Sequence, residues 1–132
     1  MIAIDSSAII AILRLEPEAD ALLRTIATAD ACFMSAVSAL ETAMVLAGAA
    51  GGSALWAPLH ELLTKASVEI VPFDGEQARL ARDAFIRFGK GRHAAGLNLG
   101  DCAAHALAAS RKLPLLFKGG DFAKTDLEAA AA

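Results

Sequence analysis

The sequence predicts an α/β protein, a three-layer sandwich around a mainly parallel central sheet of four or five strands. Short apolar runs alternate along the chain with segments in which apolar residues recur at helical spacing. Strands that alternate with helices form crossover units, which give parallel strands and helices on both faces of the sheet. A chain of 132 residues has room for one core of this kind. We therefore expect residues 1–132 to form a single domain.

The first half of the chain supplies two predicted strands and four predicted helices. The apolar run MIAI ends at Asp5, and Ser6 and Ser7 offer hydroxyl caps to the helix that follows. Pro17 suits the first turn of a second helix. The predicted elements are a strand at 1–4, helices at 6–14 and 17–29, a strand at 31–35, and helices at 36–50 and 53–66.

The second half continues the alternation. The segment VEIVPF is rich in β-branched residues, which favour strands. The helix after it has one apolar face, which we expect to point inward and which consists of Ala78, Ala81, Phe85 and Phe88. Pro114 ends the last helix, because proline cannot continue one. The predicted elements are a strand at 68–73, helices at 75–88 and 101–112, and a strand at 113–118.

Charge and hydropathy limit the class of protein. The net charge of −3 is not typical of a general nucleic-acid binder, so any contact with RNA must be local. The N-terminus has no basic region and reaches Asp5 early, so we expect no secretory signal and a cytoplasmic protein. The uncharged stretch 42–60 approaches the length of a membrane span, but Gly51, Gly52 and Pro58 interrupt it. We expect no membrane segment.

Four acids occupy positions where parallel sheets form ligand sites. Such sites lie at the carboxyl ends of the strands. Asp5 ends the first strand, and Asp121 follows the fourth strand beyond a Gly-Gly turn. Glu41 and Asp101 lie in the first turns of helices predicted to begin at the same edge. The sequence therefore predicts that four carboxylates converge.

A cluster of carboxylates repels itself unless a cation neutralises it. The predicted ligands are all hard oxygen donors, and the sequence has no His or Cys at metal-ligand spacing, so Mg²⁺ or Mn²⁺ fits better than zinc. Carboxylate-held magnesium keeps several waters, and one of these can attack a phosphate ester while the metal neutralises charge. The predicted chemistry is phosphodiester hydrolysis.

Each acid also has a purely structural interpretation. Asp5 and Asp101 are each suited to cap a helix. Ser38 and Glu41 have the spacing of a capping box, and Asp121 suits a turn. The local patterns leave these alternatives open. Their joint placement favours a metal site, because four independent caps need not share one edge of a sheet.

Four blocks in the sequence carry a resemblance to a known family. They are IDSSAII at the start, SALETAMVL near 40, RHAAGLNLGDCAAHALA from 92 and LLFKGGDF from 115. Together they resemble the signature blocks of PIN domains of the VapC toxin type. The resemblance implies a PIN-like fold, a magnesium-dependent endoribonuclease activity and a cognate antitoxin that silences it. The family's metal-binding acids match Asp5, Glu41, Asp101 and Asp121.

One position departs from the family pattern. The last block usually reads GNDF, whereas here Gly120 replaces the asparagine and Asp121 is retained. The loss of an amide beside the site puts Asp121 in more doubt than the other acids. It also motivates one alternative, a PIN-like binding protein whose catalytic site has decayed.

A basic segment is the predicted contact for RNA. Residues 79–93 contain five Arg or Lys and one acid, in a protein of negative net charge. A basic, glycine-rich loop beside an acidic site would attract phosphates, and this loop contains Arg92 and His93. Lys118, at the end of the fourth strand, is a further candidate for phosphate contact or for pairing with an acid. A solvated helix face is the alternative for the helical arginines.

Two further alternatives concern partners and chemistry. Trp56 and the leucines around it give one helix an apolar face, which favours a homodimer or an antitoxin surface, with ordinary core packing as the alternative. A strand-end aspartate, magnesium and a strand-end lysine also occur in phosphoryl-transfer or receiver-like α/β domains. In that interpretation Asp5 would accept the phosphoryl group and Lys118 would assist. Ser6 and Ser7 disfavour it, because receivers and phosphatases place further acids there.

Overall fold

The computed structural model describes residues 1–48 and 51–130. In these residues four short strands form one parallel sheet: β1 Ile2–Ile4, β2 Cys32–Ser35, β3 Glu69–Val71 and β4 Leu115–Leu116. The strand order is β3-β2-β1-β4. Ala3 of β1 faces Phe33 of β2 on one side and Leu115 of β4 on the other. The prediction of a parallel sheet is confirmed, with four strands.

Six helices are described, and each corresponds to a predicted one. They are α1 Ser6–Leu13, α2 Ala19–Thr28, α3 Ala36–Ala47, α4 Trp56–Lys65, α5 Gly75–Phe88 and α6 Leu99–Arg111. Short 3₁₀ turns at Gly52–Leu55 and Phe122–Lys124 precede α4 and follow β4. Residues 49 and 50 of the helix predicted at 36–50 lie outside the described residues.

Several predicted boundaries are wrong. The second helix begins at Ala19, so Pro17 precedes it instead of lying in its first turn. The third strand is Glu69–Val71 instead of 68–73, and the helix predicted at 53–66 begins at Trp56. The last helix begins at Leu99 instead of residue 101, because the side chain of Asn98 caps it. The last strand is two residues long instead of six. It ends early because the Lys118 N–H donates to Ser7 Oγ at 3.0 Å, outside the ladder of the sheet.

The alternation of side chains along the strands creates the three layers. Ile2 and Ile4 of β1 lie in one hydrophobic core with residues of α1, α2, α3 and α4. Ala3, between them, lies in a second core with α5 and α6. Successive residues of a strand point to opposite faces, so β1, β2 and β4 each contribute to both cores, whereas β3 contributes only Val71, to the second core. The predicted three-layer sandwich is confirmed.

The inward face of α5 differs from the prediction. Ala81 and Phe88 are buried as expected, but Ala78 is exposed and Phe85 is 38% exposed. Ala84 is buried instead. The buried face of α5 therefore consists of residues 81, 84 and 88, which recur at helical spacing. This face is narrower than the predicted one, which also included Ala78 and Phe85.

The apolar face of α4 is largely covered. Leu59 is buried, and Leu55, Leu62 and Leu63 pack against the first core. Trp56 is 46% exposed, and its Nε1 donates to the Ala43 carbonyl at 2.9 Å. Core packing thus accounts for most of this face. In the described part of the chain, every helix is too short or too polar to span a bilayer.

The core on the α6 side provides a stability test. Leu107 is 1% exposed, whereas Leu99 on the same helix is 77% exposed. We expect Leu107→Ala to lower the free energy of unfolding by about 2–4 kcal/mol, because it removes buried methylenes and leaves a cavity. Leu99→Ala should change it by less than about 0.5 kcal/mol. Urea unfolding of both variants checks this, and equal costs would contradict the described packing.

Candidate active site

Asp5 lies where β1 ends and α1 begins. Its backbone N–H donates to the Leu116 carbonyl at 2.9 Å, which holds it in line with β4. Its Oδ2 accepts from the Ser7 N–H at 3.0 Å and caps α1. The capping interpretation of Asp5 is thus confirmed. The cap uses one carboxylate oxygen and fixes the carboxylate at the carboxyl edge of the sheet.

The second oxygen of Asp5 is unusual. Asp5 is 2% exposed, and its buried Oδ1 has no hydrogen-bond partner among the described residues. Burial raises the pKa of Asp5 to about 6, an effect that the neighbouring charges of Asp101 and Glu41 increase and the bonds from Ser7 oppose. A buried, unpartnered carboxylate oxygen is costly in a folded protein and is characteristic of functional sites.

Glu41 reaches this edge from α3. The N-cap of α3 is Ser35, whose side chain accepts from the Val37 N–H, so the capping-box interpretation of Ser38 and Glu41 is wrong. Glu41 lies in the second turn of the helix, not the first. Ser6 Oγ donates to Glu41 Oε1 at 2.7 Å, which connects α3 to the start of α1.

Asp101 lies in the first turn of α6, as predicted, but it is not the N-cap. Asn98 is the cap: its Oδ1 accepts from the Asp101 N–H at 2.9 Å, and Asp101 Oδ2 accepts from the Asn98 N–H at 3.0 Å. This reciprocal pair is a capping box. Burial raises the pKa of Asp101, and the charges of Glu41 and Asp121 raise it further.

Asp121 is the most exposed of the four acids. It begins the 3₁₀ turn after β4 and forms no side-chain capping bond. Gly119, with φ of +105°, provides the left-handed backbone of the preceding turn. Gly120 has an ordinary φ, and a Cβ there would meet nothing within 4 Å. The family's asparagine would therefore fit at position 120 without strain.

The structure brings the four predicted acids into one electrostatic neighbourhood. Asp5 is affected by the charges of Asp101 and Glu41, and Asp101 by those of Glu41 and Asp121. Yet within residues 1–48 and 51–130, no three Asp, Glu, His or Cys side chains have the spacing that would hold a metal ion as they stand. The arrangement is a loose cluster of carboxylates.

The three residues predicted to bind substrate have different surroundings. Lys118 Nζ forms ion pairs with Glu16 and Glu18. Arg92 forms no ion pair with the described residues, and its guanidinium lies 5.6 Å from the centre of the Phe85 ring. His93 is exposed, and its Nδ1 accepts from the Ala95 N–H at 3.0 Å. Of the two basic side chains Arg92 and Lys118, Arg92 is thus the one that no carboxylate of the described residues pairs with, so it is available to contact a phosphate.

The sequence does not predict the roles of three residues at the site. The prediction that Ser6 caps α1 is wrong, because Asp5 is the N-cap and the Ser6 hydroxyl donates to Glu41 instead. Gly100 lies against the Glu41 carboxyl group. Asn98 has a signal that was available, because Asn followed three residues later by Asp is a capping pattern. The contacts of Ser6 and Gly100 with Glu41 have no local signal, because the partners are far apart in the sequence.

Comparison with known proteins gives one consistent family. The family model described as PIN domain matches residues 2–128. A protein named Ribonuclease VapC from Mycolicibacterium smegmatis is 48% identical over 129 residues, which cover 96% of this chain and 97% of that protein. Ribonuclease VapC28 from Mycobacterium tuberculosis is 45% identical over 128 residues, which cover 96% of this chain and 96% of that protein.

Solved structures show the same fold. The crystal structure of VapC20 from Mycobacterium tuberculosis, described as a sarcin-ricin loop cleaving toxin, matches with a TM-score of 0.81 and 14% identity over 100% of both chains. A VapBC-5 toxin–antitoxin structure from the same organism has a TM-score of 0.61 and 26% identity, covering 99% of this chain and 94% of that chain. These matches confirm the predicted α/β fold class.

The raised pKa of Asp5 predicts how stability depends on pH without metal. The folded value of about 6 exceeds the ordinary 3.8, so the folded protein holds this proton more tightly than the unfolded chain. Stability from this group is therefore complete below about pH 4 and is lost as pH rises through about 6. Asp5→Asn, which carries no charge, should be more stable than wild type at pH 7.5 by about 3 kcal/mol.

Urea unfolding in EDTA at pH 4.5 and pH 7.5 measures this difference. The gap between Asp5→Asn and wild type should be small at the lower pH and larger at the higher pH. Asp83→Asn is the matched control, because Asp83 is an exposed acid on α5. A wild type that is as stable as Asp5→Asn at pH 7.5 would mean that the Asp5 carboxylate carries no burial cost.

Proposed function

This chain belongs to the PIN-domain family and is a ribonuclease of the VapC type, and from that premise we propose that it cleaves RNA internally by metal-dependent hydrolysis at the Asp5–Asp101 edge. VapC ribonucleases are toxins of toxin–antitoxin systems. The observation that carries the proposal is the buried Oδ1 of Asp5, which has no hydrogen-bond partner among the described residues and lies in the field of the Asp101 and Glu41 carboxylates.

The residues present fit Mg²⁺ or Mn²⁺ as the cofactor. The proposed ligands are Asp5 and Asp101, with Glu41 and Asp121 in support, and all four offer oxygen donors, which these hard cations prefer. Oδ1 of Asp5 is available for a ligand. The carboxylates are more widely spaced than a closed coordination shell requires, so binding would draw them together against their mutual repulsion. PIN-domain nucleases of the VapC type generally depend on a divalent metal.

The chain's own groups orient the site. In both aspartates a backbone N–H at a helix start holds Oδ2: that of Ser7 holds Asp5, and that of Asn98 holds Asp101. These bonds fix the rotation of each carboxylate before any ligand arrives. When bound, a divalent cation supplies charge neutralisation at the scissile phosphate and makes water a better nucleophile. Asp121 is exposed, and its proposed role is to contact solvent or substrate.

RNA contact is proposed for the basic loop after α5. Arg92 is exposed, carries its charge over an aromatic ring and precedes the segment that leads to Asp101. A positive loop beside a negative site concentrates the phosphate backbone where the metal acts. His93 lies next to it and is proposed as a weaker contact. Lys118 is proposed only as a secondary contact, because Glu16 and Glu18 already pair with it.

An antitoxin is the proposed protein partner. Solved structures that share this fold include a toxin–antitoxin complex from Klebsiella pneumoniae, with a TM-score of 0.66 and 18% identity. A homodimer is also proposed. Leu40, Met44 and Leu99 are large exposed apolar side chains close to the site, in addition to the half-exposed Trp56. Exposed apolar surface of this kind favours an interface. We place the activity in the cytoplasm, where RNA substrates are found.

Two other functions, a receiver-like domain and a decayed PIN-like binding protein, are disfavoured. The family match excludes a receiver-like domain, and Lys118 is tied to Glu16 and Glu18, so it is not available to assist phosphoryl transfer to Asp5. The relatives named ribonucleases disfavour a decayed binding protein.

Activity should depend on the two principal aspartates. We expect Asp5→Asn and Asp101→Asn each to lower the rate of RNA cleavage in Mg²⁺ or Mn²⁺ by about 100-fold or more, because each removes a charged ligand from the ion. Cleavage of a fluorescent single-stranded RNA, with 5′ ends mapped by sequencing, measures the effect. Asp83→Asn is the control and should cleave like wild type. Full activity in either site variant, or in EDTA, would reject the mechanism.

Arg92 should contribute to substrate affinity. We expect Arg92→Gln to raise KM for RNA about threefold to tenfold at low salt, with little change in kcat, because a phosphate contact binds substrate and transition state alike. The difference should shrink as salt increases. Arg24→Gln is the matched control and should leave KM unchanged, because Arg24 is an exposed arginine on α2, outside the basic segment. An unchanged KM for Arg92→Gln would remove Arg92 from the proposed RNA contact.

A further inference from the structure

Gly100 is the residue of α6 immediately before Asp101, and it is buried. A Cβ built on Gly100 would overlap Glu41 Oε2, and it would lie 2.5 Å from Glu41 Cδ and 2.5 Å from Oε1. All three of the nearest atoms thus belong to one carboxyl group. The bare Cα of Gly100 is the surface against which that carboxyl group rests.

The conformation of the backbone does not explain the glycine. Its φ lies outside the left-handed range that favours glycine, and alanine is well tolerated in a helix. The other contact of the Glu41 carboxylate is the hydroxyl of Ser6, which donates to Oε1 at 2.7 Å. The carboxylate is therefore held between a hydroxyl on α1 and an uncovered stretch of backbone on α6.

We propose that Gly100 is a positioning residue. Because it has no side chain, the Glu41 carboxyl group can pack against the backbone of α6 beside Asp101, and from this position Glu41 takes part in metal binding. This inference rests on the proposed metal-dependent function and assigns a role to a residue with no functional group of its own. Gly100 acts only through Glu41.

The kind of overlap predicts what a substitution would do. The atoms displaced by a methyl group at Gly100 are the far end of a flexible side chain, not backbone. Gly100→Ala should therefore leave α6 and the fold intact. It should displace the Glu41 carboxylate from its contact with Gly100 and away from Ser6. A purely structural glycine would behave in the opposite way, because its substitution would lower stability.

The experiment measures the affinity of the purified protein for Mn²⁺ by isothermal titration calorimetry. Thermal unfolding in EDTA measures the Tm of the same variants. We expect Gly100→Ala to bind Mn²⁺ about tenfold more weakly than wild type, as is typical when the support of a ligand is lost, and to keep its Tm. Gly75→Ala is the matched control. Gly75 is the first residue of α5, and a Cβ there would meet nothing within 4 Å, so both its affinity and its Tm should match wild type.

A double-variant comparison tests whether Gly100 acts through Glu41. In a Glu41→Ala background no carboxyl group remains to be displaced, so adding Gly100→Ala should change Mn²⁺ affinity less than about twofold. An equal loss in both backgrounds overturns the proposal, as does a wild-type affinity in Gly100→Ala or the loss of its fold. Those results leave the proposed function intact if wild type binds Mn²⁺ and cleaves RNA. A wild type that does neither overturns both.

Discussion

The burial of the Asp5 carboxylate is the constraint on which the rest of the site depends. The carboxyl group is 2% exposed, has one unpartnered oxygen among the described residues and lies near other negative charges. Such a group is held against its own preference for water, which is why its pKa rises to about 6. The surrounding fold must supply the stability that this arrangement lacks, and a bound cation would relieve it.

The fold supplies that support through three helices. β1 lies between β2 and β4, so the residue that follows it is placed at the middle of the edge. The first turns of α1 and α6 present backbone N–H groups to Asp5 and Asp101, and helix N-termini favour negative charge. Ser6, on α1, reaches Glu41 on α3. The bonds that begin α1 and α6 are therefore also the bonds that orient Asp5 and Asp101.

The sequence was sufficient to predict features that depend on local pattern. The alternation of strands and helices, and an acid at the end of β1, are visible in the order of residues, and the sheet then brings Asp5 and Asp101 together. The sequence could not predict contacts between residues that are far apart along the chain. Neither the Ser6 bond to Glu41 nor the space at Gly100 has a local signature, and the acids that hold Lys118 are known only once α1, α2 and β4 are assembled.

We propose that these carboxylates form a divalent-metal site on which RNA cleavage depends. The most direct test measures Mn²⁺ binding to wild type by calorimetry and the rate of RNA cleavage over the same range of Mn²⁺ at pH 7.5. We expect one midpoint for both curves, and a weaker affinity below about pH 6, where Asp5 holds a proton. Cleavage at full rate without Mn²⁺ or Mg²⁺, or with a midpoint unrelated to binding, would contradict it.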